Sequence, residues 1–224
     1  MATLDELDVA WLARRLYVGV SGPSAVGKGV IVRGVLERIP ALRRVRMVTD
    51  RPPRTGEVPG EQFDHVSSAT LREADEAGRL AAIDSPYALA SYAVTHEALA
   101  AIGEGEAGIL ECDYEHIRQI ARRYPIVSIL VLAPSLDVSR RRLEARCEHS
   151  ADEVRQRLYR TRYLLTSADR YDHICLNDVV AEAIDFVAQV VTVEIARLER
   201  DRLLGLAASQ SADAVRYETL SRRA

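Results

Sequence analysis

The chain has 224 residues, 48% hydrophobic and 28% charged, with a formal net charge of −3. That length suits one domain, or one core with an inserted unit, and the composition excludes a disordered chain. No apolar run reaches the ~18–20 residues of a membrane helix. The near-neutral charge excludes a protein that coats nucleic acid, so neither a membrane nor a nucleic acid is an expected partner.

Residues 1–16 are acidic and then amphipathic, without the basic start and small-residue cleavage site of a signal peptide. Cys112, Cys147 and Cys175 are odd in number and widely spaced. A reducing, cytoplasmic setting without a structural disulfide is therefore expected. Of the 30 basic residues, 29 are arginine and one is lysine, Lys28. A sole lysine kept against such a bias marks a place where a compact ammonium is needed and a planar guanidinium does not serve.

In chain order, residues 16–21 read as a short buried strand, followed by the glycine-rich stretch 22–29. Val30, Ile31, Gly34, Val35 and Ile39 then run at helical spacing. A second strand is expected over 45–49. Residues 50–60, rich in Pro and Gly, are expected to be irregular. Between 63 and 107 the pattern becomes short strands and short helices: a helix over 67–78 with Ser68 as N-cap, and strands at 80–84 and 91–95. Strand patterns resume at 108–113, followed by a helix to about Tyr124, and 126–132 is the clearest buried strand. Two arginine-rich helices follow over 135–146 and 152–167, then a strand at 173–176, a long helix from 178 to about 206, and a polar, partly mobile tail over 207–224. Strands alternating with helices predict a parallel sheet covered on both faces.

Residues 22–28 fit G-x-x-x-x-G-K between a strand and a helix. In such a loop Gly22, Pro23, Ser24, Ala25, Val26 and Gly27 turn backbone N–H groups toward an anion, and Lys28 reaches the outer phosphates. The position that often carries a Ser or Thr hydroxyl for Mg²⁺ is Gly29, so a metal would be held through water and by carboxylates elsewhere.

At this point the sequence resembles guanylate kinases. SGPSAVGK (21–28) is similar to that family's donor loop, and TDRPPRTGE (49–57) with Gly60 to its acceptor-phosphate segment. RLEAR (142–146), Arg157 with Leu158, and Asn177 with Asp178 resemble its lid and closing motif. The resemblance covers about 16–195. It implies a P-loop kinase fold: a parallel sheet flanked by helices (16–48 and 108–206), an inserted acceptor-binding subdomain (49–107) and an arginine-rich lid (142–160). It also implies ATP and Mg²⁺, and a small phosphorylated acceptor as partner. On this resemblance Arg51 and Arg54 grip the acceptor phosphate, Glu57 braces their loop, Tyr92 binds the phosphate, Glu111 reads the base and Asp113 lies near the metal. Lys28, Arg142, Arg146 and Arg157 neutralise charge during transfer.

The departures gather in the acceptor pocket. Phe63 stands in place of a tyrosine and Met47 in place of a small hydroxyl residue. No glutamate stands near Ala82–Asp84 unless Asp84 slips into that role. Ala93 and Val94 replace a glycine and a hydroxyl residue, and Leu164 replaces a lid glutamate. Three functions remain open: a kinase acting on GMP, a kinase acting on another nucleotide or a sugar phosphate as ribose bisphosphate kinases do, and an inactive binding module. The sequence leaves monomer and homodimer undecided.

Overall fold

The computed structural model describes residues 15–221 except 54–56, 59, 86–89, 104–105 and 146–150. Every residue of β1 (Leu16–Ser21) is buried, as the apolar run of this segment requires, and the sheet is built outward from it. The remaining strands are β2 (Leu42–Arg44), β3 (Met47–Thr49), β4 (Phe63–His65), β5 (Leu80–Asp84), β6 (Tyr92–Thr95), β7 (Ala107–Glu111), β8 (Ile126–Leu132) and β9 (His173–Leu176). Five of them form one sheet in the order β2-β7-β1-β8-β9, with every pairing parallel. The other four form a mixed sheet, β4-β3-β6-β5, in which only β3 and β4 run parallel.

The helices are α1 (Lys28–Arg38), α2 (Ser68–Glu76), α3 (His96–Ala100), α4 (Tyr114–Ile120), α5 (Leu136–Glu144), α6 (Ala151–Thr166) and α7 (Val180–Ser221), with a 3-10 turn at Ala168–Arg170. Alternation along the central strands divides the core between two faces. Val18, Val20, Ile109 and Val131 pack with Ile31 and Val35 of α1 and with Val187 and Val191 of α7. Tyr17, Leu110 and Leu130 pack on the other face with Ile117 and Ile120 of α4 and with Met47, Ala82 and Val94 of the mixed sheet. Helix α4 also grips the mixed sheet through polar bonds. The Gln119 side chain pairs with the Ile83 backbone at 3.0 and 2.9 Å, and His116 Nε2 lies 2.8 Å from the Tyr92 carbonyl. A parallel sheet covered on both faces is what the alternation of strands and helices leads one to expect. No helix among the described residues is long and apolar enough to cross a membrane.

Four expectations are corrected. The strand expected over 45–49 is confined to Met47–Thr49 and belongs to the mixed sheet, and it is preceded by Leu42–Arg44, a strand of the parallel sheet that lies outside that apolar run. The chain changes sheets at Val45, whose N–H still donates to the Ile109 carbonyl at 2.9 Å. The N-cap of α2 is Ser67, whose hydroxyl accepts from the Thr70 N–H, while Ser68 is helical and its hydroxyl donates to Asp50. The helix after β7 ends at Ile120 rather than near Tyr124. The tail expected beyond residue 206 continues α7 to Ser221.

Candidate active site

The donor loop joins β1 to α1 and owes its shape to positive φ angles. Gly22 has φ +147°, Ala25 +62° and Gly27 +99°. A Cβ on Gly22 would run into the Val131 carbonyl, and one on Gly27 would lie 2.5 Å from Asn177 Nδ2. The loop is braced from the far end of the chain. Asn177, buried at the end of β9, donates from Nδ2 to the Val26 carbonyl at 2.7 Å, and its own N–H donates to Leu132. Ser21 and the Tyr171 hydroxyl meet at 2.8 Å beneath the loop.

Gly22→Ala is therefore expected to lose roughly 1–3 kcal/mol of stability through strain and displacement of β8. It should also lose nucleotide affinity, checked by thermal melts and ATP titration calorimetry.

Lys28 curls into the loop, its ammonium donating to the carbonyls of Gly22 at 2.6 Å and Pro23 at 3.0 Å. Arg157 reaches in from α6 and donates from Nη1 to Ser24 Oγ at 3.4 Å. Arg142 is half-buried on α5 and makes no hydrogen bond or ion pair among the described residues. Arg146, like Arg54 of the acceptor segment, lies outside the described residues.

Across from the loop stands Arg51, buried, with its guanidinium bonded through both terminal nitrogens to the Glu57 carboxylate. It lies over the Phe63 ring at 4.8 Å, and Phe63 stands edge-on to Tyr92 with centroids 5.8 Å apart. Burial works against the Arg51 charge. The bonds to Glu57 and to the Tyr92 side chain outweigh it and raise the guanidinium above its ordinary range. Arg51 Nε is buried and has no acceptor among the described residues. His65 supports the segment from below, its Nδ1 2.8 Å from the Arg51 carbonyl.

Glu111, at the end of β7, approaches the donor loop directly. A Cβ on Gly29 would sit 3.5 Å from Glu111 Oε2, an ordinary contact, so the carboxylate occupies the space beside the missing hydroxyl. Its other partner is Arg44 of β2, Nη1 to Oε1 at 2.8 Å, with the two side chains 12% and 7% exposed. Asp113 opens α4 without capping it. Between the two acids, Cys112 is fully enclosed. Burial first, and then the Asp113 charge, push its thiol well above the usual range, with Lys28 opposing. It stays protonated and is no nucleophile.

Gly29, Arg33, Arg44, Glu57, Phe63 and Glu111 line one cavity of about 90 Å³ between loop and acceptor segment. The structure thus brings together Lys28, Gly29, Arg157, Arg51, Glu57, Phe63, Tyr92 and Glu111. Arg44 had no role read from the sequence, and Asn177 was singled out only with Asp178 as resembling the closing motif, without its bond to Val26. Arg44 sits among other arginines and gave no signal.

A phosphate loop that faces an arginine–carboxylate clamp across a small cavity, on a parallel sheet, defines a P-loop phosphotransferase. The comparisons with known proteins agree. The family model described as guanylate kinase matches residues 13–194. A guanylate kinase of Gloeobacter violaceus is 35% identical over 188 residues, covering 81% of this chain and 88% of that protein. One from a Nostoc species is 33% identical over 179 residues, covering 79% and 86%. The crystal structure of guanylate kinase from Anaplasma phagocytophilum shares the fold with a TM-score of 0.67 at 19% identity, over 81% of this chain and 87% of that one. The chain belongs to the guanylate kinase family and is an enzyme of the nucleoside monophosphate kinase class. The inactive-module reading is left without support.

Proposed function

We propose that this enzyme transfers the γ-phosphoryl group of ATP to GMP, with Mg²⁺, in the cytoplasm. The carrying observation is the shared cavity, with Gly29 of the donor loop on one wall and Glu57 and Phe63 of the acceptor clamp on another. Phosphoryl transfer asks a protein mainly to position and neutralise. In this reading the loop and Lys28 hold the donor's outer phosphates. Arg51, held by Glu57, aims the acceptor phosphate. Arg157, with Arg142 and Arg146 of the lid, offsets the charge as water leaves. Arg54 shares the acceptor phosphate with Arg51, and Tyr92 adds a hydroxyl. A phosphate oxygen is itself the nucleophile, so no catalytic base is needed.

The residues present fit a cation carried in on the nucleotide rather than one caged by protein. Gly29 brings no hydroxyl, and no group of three or more His, Cys, Asp or Glu among the described residues could hold a metal alone. Glu111 and Asp113 supply carboxylates beside the loop for contact through water, which suits Mg²⁺. When bound, Mg²⁺ neutralises charge on the donor phosphates.

A second acceptor class has a specific observation in its favour. Met47, Ala82 and Val94 are 2%, 1% and 0% exposed and pack in the core, so no polar side chain stands at these positions to read a base. Initial rates with ATP and GMP, AMP or ribose 1,5-bisphosphate test the assignment. GMP is expected to be accepted measurably but weakly, because Phe63 and Met47 bring no hydroxyl to its phosphate. Equal rates for GMP and AMP, or preference for the sugar phosphate, would overturn it.

A further inference from the structure

Helix α4 stands between the two sheets. Its Ile117 and Ile120 pack in one cluster with Leu110 and Leu130 of the parallel sheet and with Ala82 and Val94 of the mixed one. On the same helix His116 is 2% exposed. Its Nε2 lies 2.8 Å from the Tyr92 carbonyl, which only accepts, so Nε2 carries the hydrogen and donates. Nδ1 is also buried and has no partner among the described residues. A buried polar atom without a partner costs stability, and an apolar side chain at this place would avoid that cost. The imidazole is thus a poor choice for packing alone. What it does make is a bond to the backbone of Tyr92.

Tyr92 opens β6 and is a point where the acceptor clamp meets the mixed sheet. Its side chain bonds to Arg51, its ring stands edge-on to Phe63, and its backbone pairs with Thr49, two residues before Arg51. Just before it, the Ser91 N–H donates to Asp50 Oδ1 at 2.7 Å, and the Ser91 carbonyl accepts from the Thr49 hydroxyl at 2.8 Å. The clamp segment therefore hangs on residues 91 and 92, and His116 ties that point to the core. Gln119 of the same helix bonds elsewhere, to Ile83 of β5.

We propose that His116 is a positioning residue for the acceptor: by holding the Tyr92 carbonyl it sets the Tyr92 hydroxyl and, through it, the Arg51 guanidinium at the acceptor phosphate. The proposal rests on the reading that Tyr92 and Arg51 meet that phosphate. It is independent of which acceptor carries the phosphate.

The test uses initial rates with ATP and whichever of GMP, AMP and ribose 1,5-bisphosphate turns over fastest. His116→Leu, which fills the space without a donor, should lower kcat/KM for the acceptor ~10- to 100-fold, the cost of misplacing a binding group by about 1 Å, while the KM for ATP scarcely moves. His116→Asn, whose amide is too short to reach Tyr92, should show the same loss and guards against misfolding of the Leu variant. His116→Gln places an amide N–H near the Nε2 position and should recover most of the rate. In Tyr92→Phe, already slowed, adding His116→Leu should cost little more, because the imidazole acts through that hydroxyl. Gln119→Met, which cuts the tie to Ile83 instead, should lower the melting temperature and spare the acceptor. Equal losses for ATP and acceptor, no recovery with Gln, or an acceptor loss as large in Gln119→Met would reduce His116 to a fold contact and overturn the proposal. If Tyr92→Phe costs activity and His116→Leu does not, the Tyr92 reading stands and this proposal falls. If Tyr92→Phe costs nothing, Tyr92 leaves the acceptor site and the proposal falls with it.

Discussion

Lys28→Arg should abolish transfer while leaving the melting temperature unchanged. The ammonium sits within 2.6 Å of the Gly22 carbonyl and 3.0 Å of Pro23, inside a loop whose width is fixed by the close approaches at Gly22 and Gly27. A guanidinium is broader, planar and strongly directional, and does not fit between those carbonyls while also reaching a phosphate. Charge is conserved in the substitution, so a loss of activity isolates shape and reach from net electrostatics. Removing one preorganised donor to a developing charge costs roughly 100- to 1,000-fold in kcat, and the arginine variant should fall at least that far. Steady-state rates beside thermal melts check it. A variant with native rates would remove Lys28 from the phosphates.

Arg51→Ala should weaken acceptor binding far more than donor binding. A hydrogen bond to a charged group contributes about 1.5–3 kcal/mol, which is ~10- to 150-fold in acceptor affinity. The donor loop lies on β1 and α1 and shares no hydrogen bond with Arg51, so ATP affinity should scarcely move. The truncation also strands Glu57. That carboxylate is 24% exposed and has His65 Nε2 at 3.6 Å, so the fold should lose less than the roughly 3–5 kcal/mol of a fully buried broken pair. Calorimetric titration with each substrate separates the effects, and equal losses for donor and acceptor would place Arg51 elsewhere in the mechanism.

The parts of the site that were legible in the sequence are local ones. The strand, glycine loop and helix around Lys28 are contiguous, and the pattern states their order and their chemistry together. Arg51 and Glu57 are six apart, and their pairing follows from one polar segment. What stayed hidden depends on long-range contact. Arg44 meets Glu111 across 67 residues, and Asn177 meets Val26 across 151. No periodicity encodes either meeting. The strand Leu42–Arg44 was hidden because two of its three residues are arginine, and the change of sheet at Val45 leaves no mark in the apolar run 45–49. The end of α7 was misread for a different reason. Its apolar pattern loosens near residue 206, but no glycine or proline follows Gly205, and the alanines at 207, 208, 212 and 214 carry a helix onward.

The position of β1 has a consequence for how the enzyme is made. The first of the described strands is the centre of the parallel sheet, and its partners are β7 and β8, which begin at residues 107 and 126. About ninety residues separate β1 from its first partner, a long-range closure that slows assembly. The donor loop waits longer still, because Asn177, which ties down Val26, comes after every strand of both sheets. The motif encoded nearest the N-terminus is thus among the last to become rigid. Nascent chains stalled before residue 177 should not be retained on immobilised nucleotide, and binding should appear only once Asn177 has left the ribosome.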